Sequence, residues 1–186
     1  MIAYLLVLFA VLSRYLVLGH LPLMNFTAVT GGLIYFGARR SWREMVAPLA
    51  ILAISDYCLT TYAYHYAFHW QAYIPTWIWY VAAMALGQIL LKTKTSWIRV
   101  AAGAILGPTA FWLISNFAVW MVAAGPTGID LYPRTLAGLA TCYAAAIPFY
   151  GNDLAATTIV LAVAFGVPAL VQRMNEDRLA TRRIRK

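Results

Sequence analysis

His65 and His69 lie four residues apart, with Asp56 and Cys58 a short way upstream, and this is the grouping in the sequence that comes nearest to a metal site. On a helix, residues four apart point the same way, so both imidazoles would reach one ion. A thiolate added to imidazole would suit a transition metal. Residues 64–71, however, read as a connection rich in aromatic residues, where two histidines more often serve as interfacial hydrogen-bonding groups. The expectation is therefore no metal and no cofactor, with Cys58, His65 and His69 as the ligands if one were held. Covalent catalysis finds no support either: there is no Gly-x-Ser-x-Gly elbow and no spanning serine with an evident histidine partner. Walker A and dinucleotide fingerprints are also missing. The chain reads as a non-enzyme whose energy, if it transports, comes from a partner or an ion gradient.

A second set of polar residues suits binding better than catalysis. Asp56, Asn116, Tyr132, Arg134 and Asn152 are the candidates to form or gate a pocket by hydrogen bonding, and Trp120 and Tyr143 to supply stacking surface. Asn25 and Asp153 belong to the same set. Ionisable groups in apolar spans are costly and therefore informative, and convergent polar groups in an apolar wall are what a small-molecule pocket needs. Asp56 has an equally weighted structural role, as the partner of Arg14 or Arg134.

These residues are carried on a strongly apolar frame. Of 186 residues 63% are hydrophobic and 11% charged, with mean hydropathy +0.72. Soluble domains are about half apolar and a quarter charged, so lipid must solvate most of this surface. Seven apolar stretches can be marked, at roughly 2–18, 23–38, 45–63, 73–91, 98–123, 135–149 and 154–171. A crossing helix needs about 20 apolar residues, with a lower bound near 17. The second stretch is short and is interrupted by Gly31 and Gly32; the sixth is short and rich in Ala and Thr.

Charge decides how many cross. The net charge of +8 would suggest nucleic acid in a soluble chain, but the basic residues fall in clusters between apolar runs. Arg39, Arg40 and Arg43 follow the second stretch, Lys92, Lys94 and Arg99 the fourth, and six Lys and Arg the last. All three clusters fall on the cytoplasmic side only if 135–149 does not cross. The predicted fold is an all-α polytopic membrane bundle. It has six transmembrane helices plus one short re-entrant or interfacial helix, bounded by Pro133 and by Pro148 with Gly151, Asn152 and Asp153. Residues 1–171 form a single transmembrane domain and 172–186 a basic cytoplasmic tail. Both termini are expected in the cytoplasm of a bacterial inner membrane. Gly103 and Gly107 form a small-xxx-small pair for close helix approach, and Pro108 should kink the fifth span. Trp70, Trp77, Trp79, Trp97 and Trp120 fall near span ends, as interfacial anchors do.

The strings RYLVLGHLPLMNFTAVTGGLIYFGARR, PLAILAISDY, ISNFAVW and LYPRTLAGLATCYAAAIPFYGNDL resemble the landmarks of a family of small six-helix bacterial membrane proteins of uncharacterised function. The resemblance runs from Ser13 to about Phe165. That family in turn resembles the substrate-binding S components of energy-coupling-factor (ECF) vitamin transporters. This second resemblance implies six helices, cytoplasmic termini, an outward-facing pocket capped by loops, and a partner ATPase module. S components commonly carry Ala-x-x-x-Ala on the first helix for docking; here Ala3 and Ala10 are seven apart with Val7 between them. Cobalamin-specific members use a membrane cysteine, for which Cys58 is the candidate. The function expected is a membrane-embedded binding component for uptake of a small vitamin-like or micronutrient molecule, with the lipid bilayer and an ECF-type ATPase module as partners and no nucleic acid. The alternatives are an accessory or assembly protein docking through Gly103 and Gly107, and, third, a metal-dependent membrane enzyme.

Overall fold

The computed structural model describes residues 1–122 and 131–184, and every regular element among them is helical. Ala123, the end of the fifth apolar stretch, and Arg185 and Lys186 of the tail lie outside the described residues. The main helices are α1 (Ile2–Leu16), α2 (Val29–Arg39), α3 (Val46–Cys58), α4 (Ile74–Leu91), α5 (Trp97–Val122), α6 (Leu136–Ala145) and α7 (Ile147–Ile184). A 3-10 turn, Trp42–Met45, leads into α3, with Ser41 and Glu44 closing a reciprocal cap across it. A π-helical turn, Leu59–Ala63, ends α3.

Four stretches, Trp42–Ala63, Trp70–Leu91, Trp97–Met121 and Ile147–Arg178, are long and apolar enough to cross a bilayer. Large apolar side chains such as Leu5, Leu12, Ile54, Ile89, Ile105 and Val163 face outward. The chain is an all-helical membrane protein.

α2 occupies the middle. Ten of its eleven residues are buried, and α1, α4, α5 and α7 all pack on it. Gly31 and Gly32, which in sequence read as an interruption, are helical: Gly31 meets Val160 of α7 and Gly32 meets the Leu6 carbonyl of α1. The closest approach is between α2 and α4. A methyl group at Gly37 would fall 1.9 Å from the Met84 carbonyl oxygen, and one at Gly87 2.0 Å from that of Ile34. Only glycine permits this backbone contact. Gly103 and Gly107 also turn inward, toward Ile34 and Thr30 of α2, so the face expected to dock a partner is occupied within the bundle. The same holds for α1, whose stripe Ala3, Val7, Ala10 and Ser13 is buried.

The expected break after the sixth stretch lies elsewhere. α6 stops at Ala145 and α7 starts at once, at Ile147. Pro148 sits in the first turn of α7, where its missing N–H has no helical partner to lose, and Gly151, Asn152 and Asp153 continue the helix. α6 has ten residues and packs mainly on α5. No helix boundary marks residue 172, because α7 runs on to Ile184, about 57 Å at ~1.5 Å per residue.

Contacts define two ends of the bundle. At one, Tyr4 donates to Glu44 (2.9 Å), Arg40 lies over the Tyr4 ring, Arg39 lies over Phe165, and Arg99 donates to the Leu90 carbonyl. The other end gathers the carboxylates Asp56 and Asp153.

Candidate ligand-binding cavity

Asp56 sits in the last turn of α3 and is 1% exposed. Its Oδ1 accepts from Arg14 Nη2 of α1 (2.5 Å) and from the Tyr80 hydroxyl (3.2 Å); its Oδ2 accepts from Trp77 Nε1 (2.9 Å). Trp77 and Tyr80 are three apart on α4, so both face α3. The other guanidinium nitrogen of Arg14 donates to Ser55 Oγ (3.1 Å). A buried ion pair survives only when further hydrogen bonds satisfy its remaining groups, and here Ser55 of α3 and Trp77 and Tyr80 of α4 supply them. Below it, Thr60 of the π turn donates to the Asp56 carbonyl (2.8 Å) and its hydroxyl bonds that of Tyr73. The Phe68, Tyr73 and Trp77 rings stack successively beside the pair.

This cluster forms one side of a cavity of about 260 Å³. Thr30 of α2, Phe111 of α5 and Asp153 of α7 also line it, as do the exposed Asn25 and Tyr64. A second cavity of about 200 Å³ adjoins it, sharing Asn25, Phe111 and Asp153 and adding Trp112, Asn116 and Tyr150. Together they fall within the ~300–1,000 Å³ typical of small-molecule sites. Asp153 is 4% exposed; its oxygens accept from Thr30 Oγ1 (3.2 Å) and Thr157 Oγ1 (3.1 Å). Among the described residues it has no ion-pair partner.

The residues proposed from sequence divide into two groups. Asp56 lines the larger cavity, and its cation is Arg14 rather than Arg134. Asn116 lines the smaller one, although its amide donates to the Trp112 carbonyl one turn back (2.8 Å). Four of the others hold backbone. Trp120 donates to the Pro133 carbonyl (2.9 Å), Arg134 to that of Met121, and Tyr143 to that of Leu113 (2.7 Å). These bonds fasten α6 and the turn before it to the C-terminal half of α5. Asn152 donates to the carbonyls of Pro22 (2.7 Å) and Met24 (2.8 Å), holding the loop before α2. Tyr132 is half-buried in the turn before α6, in the wall of neither cavity.

His65 and His69 lie outside any helix, both exposed, with His65 at φ 57. The four-residue spacing therefore does not bring them to one face. Cys58 is half-buried, and Cys142 is buried with its thiol on the Asn116 carbonyl (3.4 Å). Among the described residues no three His, Cys, Asp or Glu cluster as metal ligands would.

The model of DUF6580, a family of unknown function, matches residues 1–179. The chain belongs to this family. No curated protein and no solved structure matches it. The DUF6580 match takes in every residue lining either cavity, so the site lies wholly inside the family's region. Sequence reasoning missed Arg14, Thr30, Tyr73 and Tyr80 as walls of this site. The available signal was Arg14 itself, a lone cation closing an apolar run.

Proposed function

We propose that this protein is the membrane-embedded binding component of an uptake system for a small vitamin-like or micronutrient molecule, dependent on a partner for energy. The observation that carries this reading is the paired cavity at one end of the bundle, lined by two buried carboxylates, an arginine and aromatic rings. Arg39, Arg40 and Arg99 make their contacts at the opposite end, beside Phe165, from which α7 runs on to Ile184. By the positive-inside bias that end is cytoplasmic and the cavity faces outward. In this reading α1–α5 and α7 make six crossings of a bacterial inner membrane, both termini are cytoplasmic, and α6 stays on the outer side. The energy source in this reading is a partner ATPase module that tips or reshapes the bundle to release ligand. No catalytic step is part of the proposal.

Gly103 and Gly107 both face α2, which favours the binding reading over an accessory role docking through them. The test is direct. Full-length protein in nanodiscs should retain, or bind saturably, one member of a vitamin and micronutrient panel. Protein that carries no small molecule and binds none in the panel refutes the reading.

A further inference from the structure

We infer that the ligand is a small organic cation, with Asp153 as its counter-charge. This rests on the binding reading above and narrows it to a substrate class. The charges lining the two cavities do not balance. Among the described residues Arg14 is the one cation in their walls, and it is committed to Asp56 at 2.5 Å. Asp153 lines the same space with two threonine hydroxyls and, among the described residues, no cation. A carboxylate accepts at about four positions, so two remain for a further donor. An unpaired charge at membrane depth is expensive and is kept where it meets a substrate, an ion or a proton.

Position and surroundings favour an organic cation. Asp153 belongs to the walls of both cavities, so it is accessible to a ligand in either. Trp79, Tyr80 and Phe111 line the larger cavity and Trp112 and Tyr150 the smaller. The negative faces of such rings attract an ammonium group, more strongly when it is desolvated. A bare alkali ion would instead call for about six oxygen ligands, as hard cations do, and Asp153 with its two threonines offers fewer. An anion would face Asp153 and a guanidinium already neutralised by Asp56.

The experiment is calorimetric titration of full-length protein in nanodiscs with choline, ethanolamine and tetramethylammonium. Controls are 3,3-dimethylbutan-1-ol (the uncharged isostere of choline), acetate, sodium chloride and the wider vitamin panel. At least one organic cation should bind saturably, with the isostere weaker by about tenfold or more. Asp153→Asn should weaken the cation by about 100-fold or more, as removal of a buried charge partner does. Should that variant fail to fold, the wild-type ranking of cation over isostere and acetate decides the matter alone. Binding of a neutral or acidic panel member in preference to every cation, unchanged affinity in Asp153→Asn, or a response to sodium alone would overturn the inference while leaving a binding site. Saturable binding of nothing would remove both readings.

Discussion

Replacing Asp56 by leucine tests whether the Arg14–Asp56 pair holds α1, α3 and α4 together. The Asp56 side chain is fully buried and that of Arg14 is 18% exposed. The substitution leaves a mostly buried guanidinium without a counter-charge and takes the acceptor from Trp77 and Tyr80. Breaking a buried pair from one side costs about 3–5 kcal/mol, and an orphaned neutral donor about 1–3 kcal/mol. Because these losses overlap in one cluster, about 4 kcal/mol is expected. Removing both charges, as Arg14→Met with Asp56→Leu, should restore about half of it, leaving about 2 kcal/mol for the two unpaired donors. Asp56→Asn, which keeps an acceptor and loses the charge, should fall between. The assay is reversible unfolding in mixed micelles, followed by tryptophan fluorescence and helical circular dichroism. A double variant as unstable as the two singles summed would refute the pairing argument, as would a cost below about 1 kcal/mol for Asp56→Leu.

Three further outcomes follow from the packing and topology. Gly37→Ala should destabilise by about 2–3 kcal/mol through overpacking against the Met84 carbonyl, whereas Gly103→Ala, whose methyl would meet Ile34 at an ordinary 3.6 Å, should change stability by less than about 1 kcal/mol. Asn152→Ala removes two hydrogen bonds to the 22–24 loop, worth about 1 kcal/mol each; hydrogen exchange in residues 17–28 should accelerate while α4 and α5 stay protected. A reporter fused after Lys186 should act in the cytoplasm, and a cysteine at Lys94 should be labelled only from that side. An external signal at Lys186 would restore a seventh crossing.

The membrane character of the chain and its third, fourth and fifth helices were legible because hydropathy measures contact with lipid directly. α2 was harder, since its neighbours are protein. Burial among four helices needs small residues, not greasy ones, and Gly31, Gly32 and Gly37 look like weakness in a sequence read for lipid. Pro148 and Gly151 misled in the same way: both are breaker residues in general, yet proline is tolerated in the first turn of a helix. The polar residues showed the limit most clearly. Sequence could name Arg14 and Arg134 as cations for Asp56, but choosing needed the adjacency of α1 and α3. Trp120, Arg134 and Tyr143 have the right chemistry for a pocket, and their helices rotate them onto backbone carbonyls instead. Asp153 was visible as a member of a polar set; its lack of a cation was not.

The burial of α2 also bears on how the chain is made. At eleven residues it spans about 16 Å, against a hydrocarbon core of about 30 Å, so lipid alone gives it little reason to enter. Of the four helices that enclose it, only α1 precedes it from the ribosome; α4, α5 and α7 come later. A nascent chain ending before Ile74 therefore holds α2 with one wall of its eventual socket. Its final depth is fixed after synthesis has moved well past it, and the later helices determine where an earlier one comes to rest.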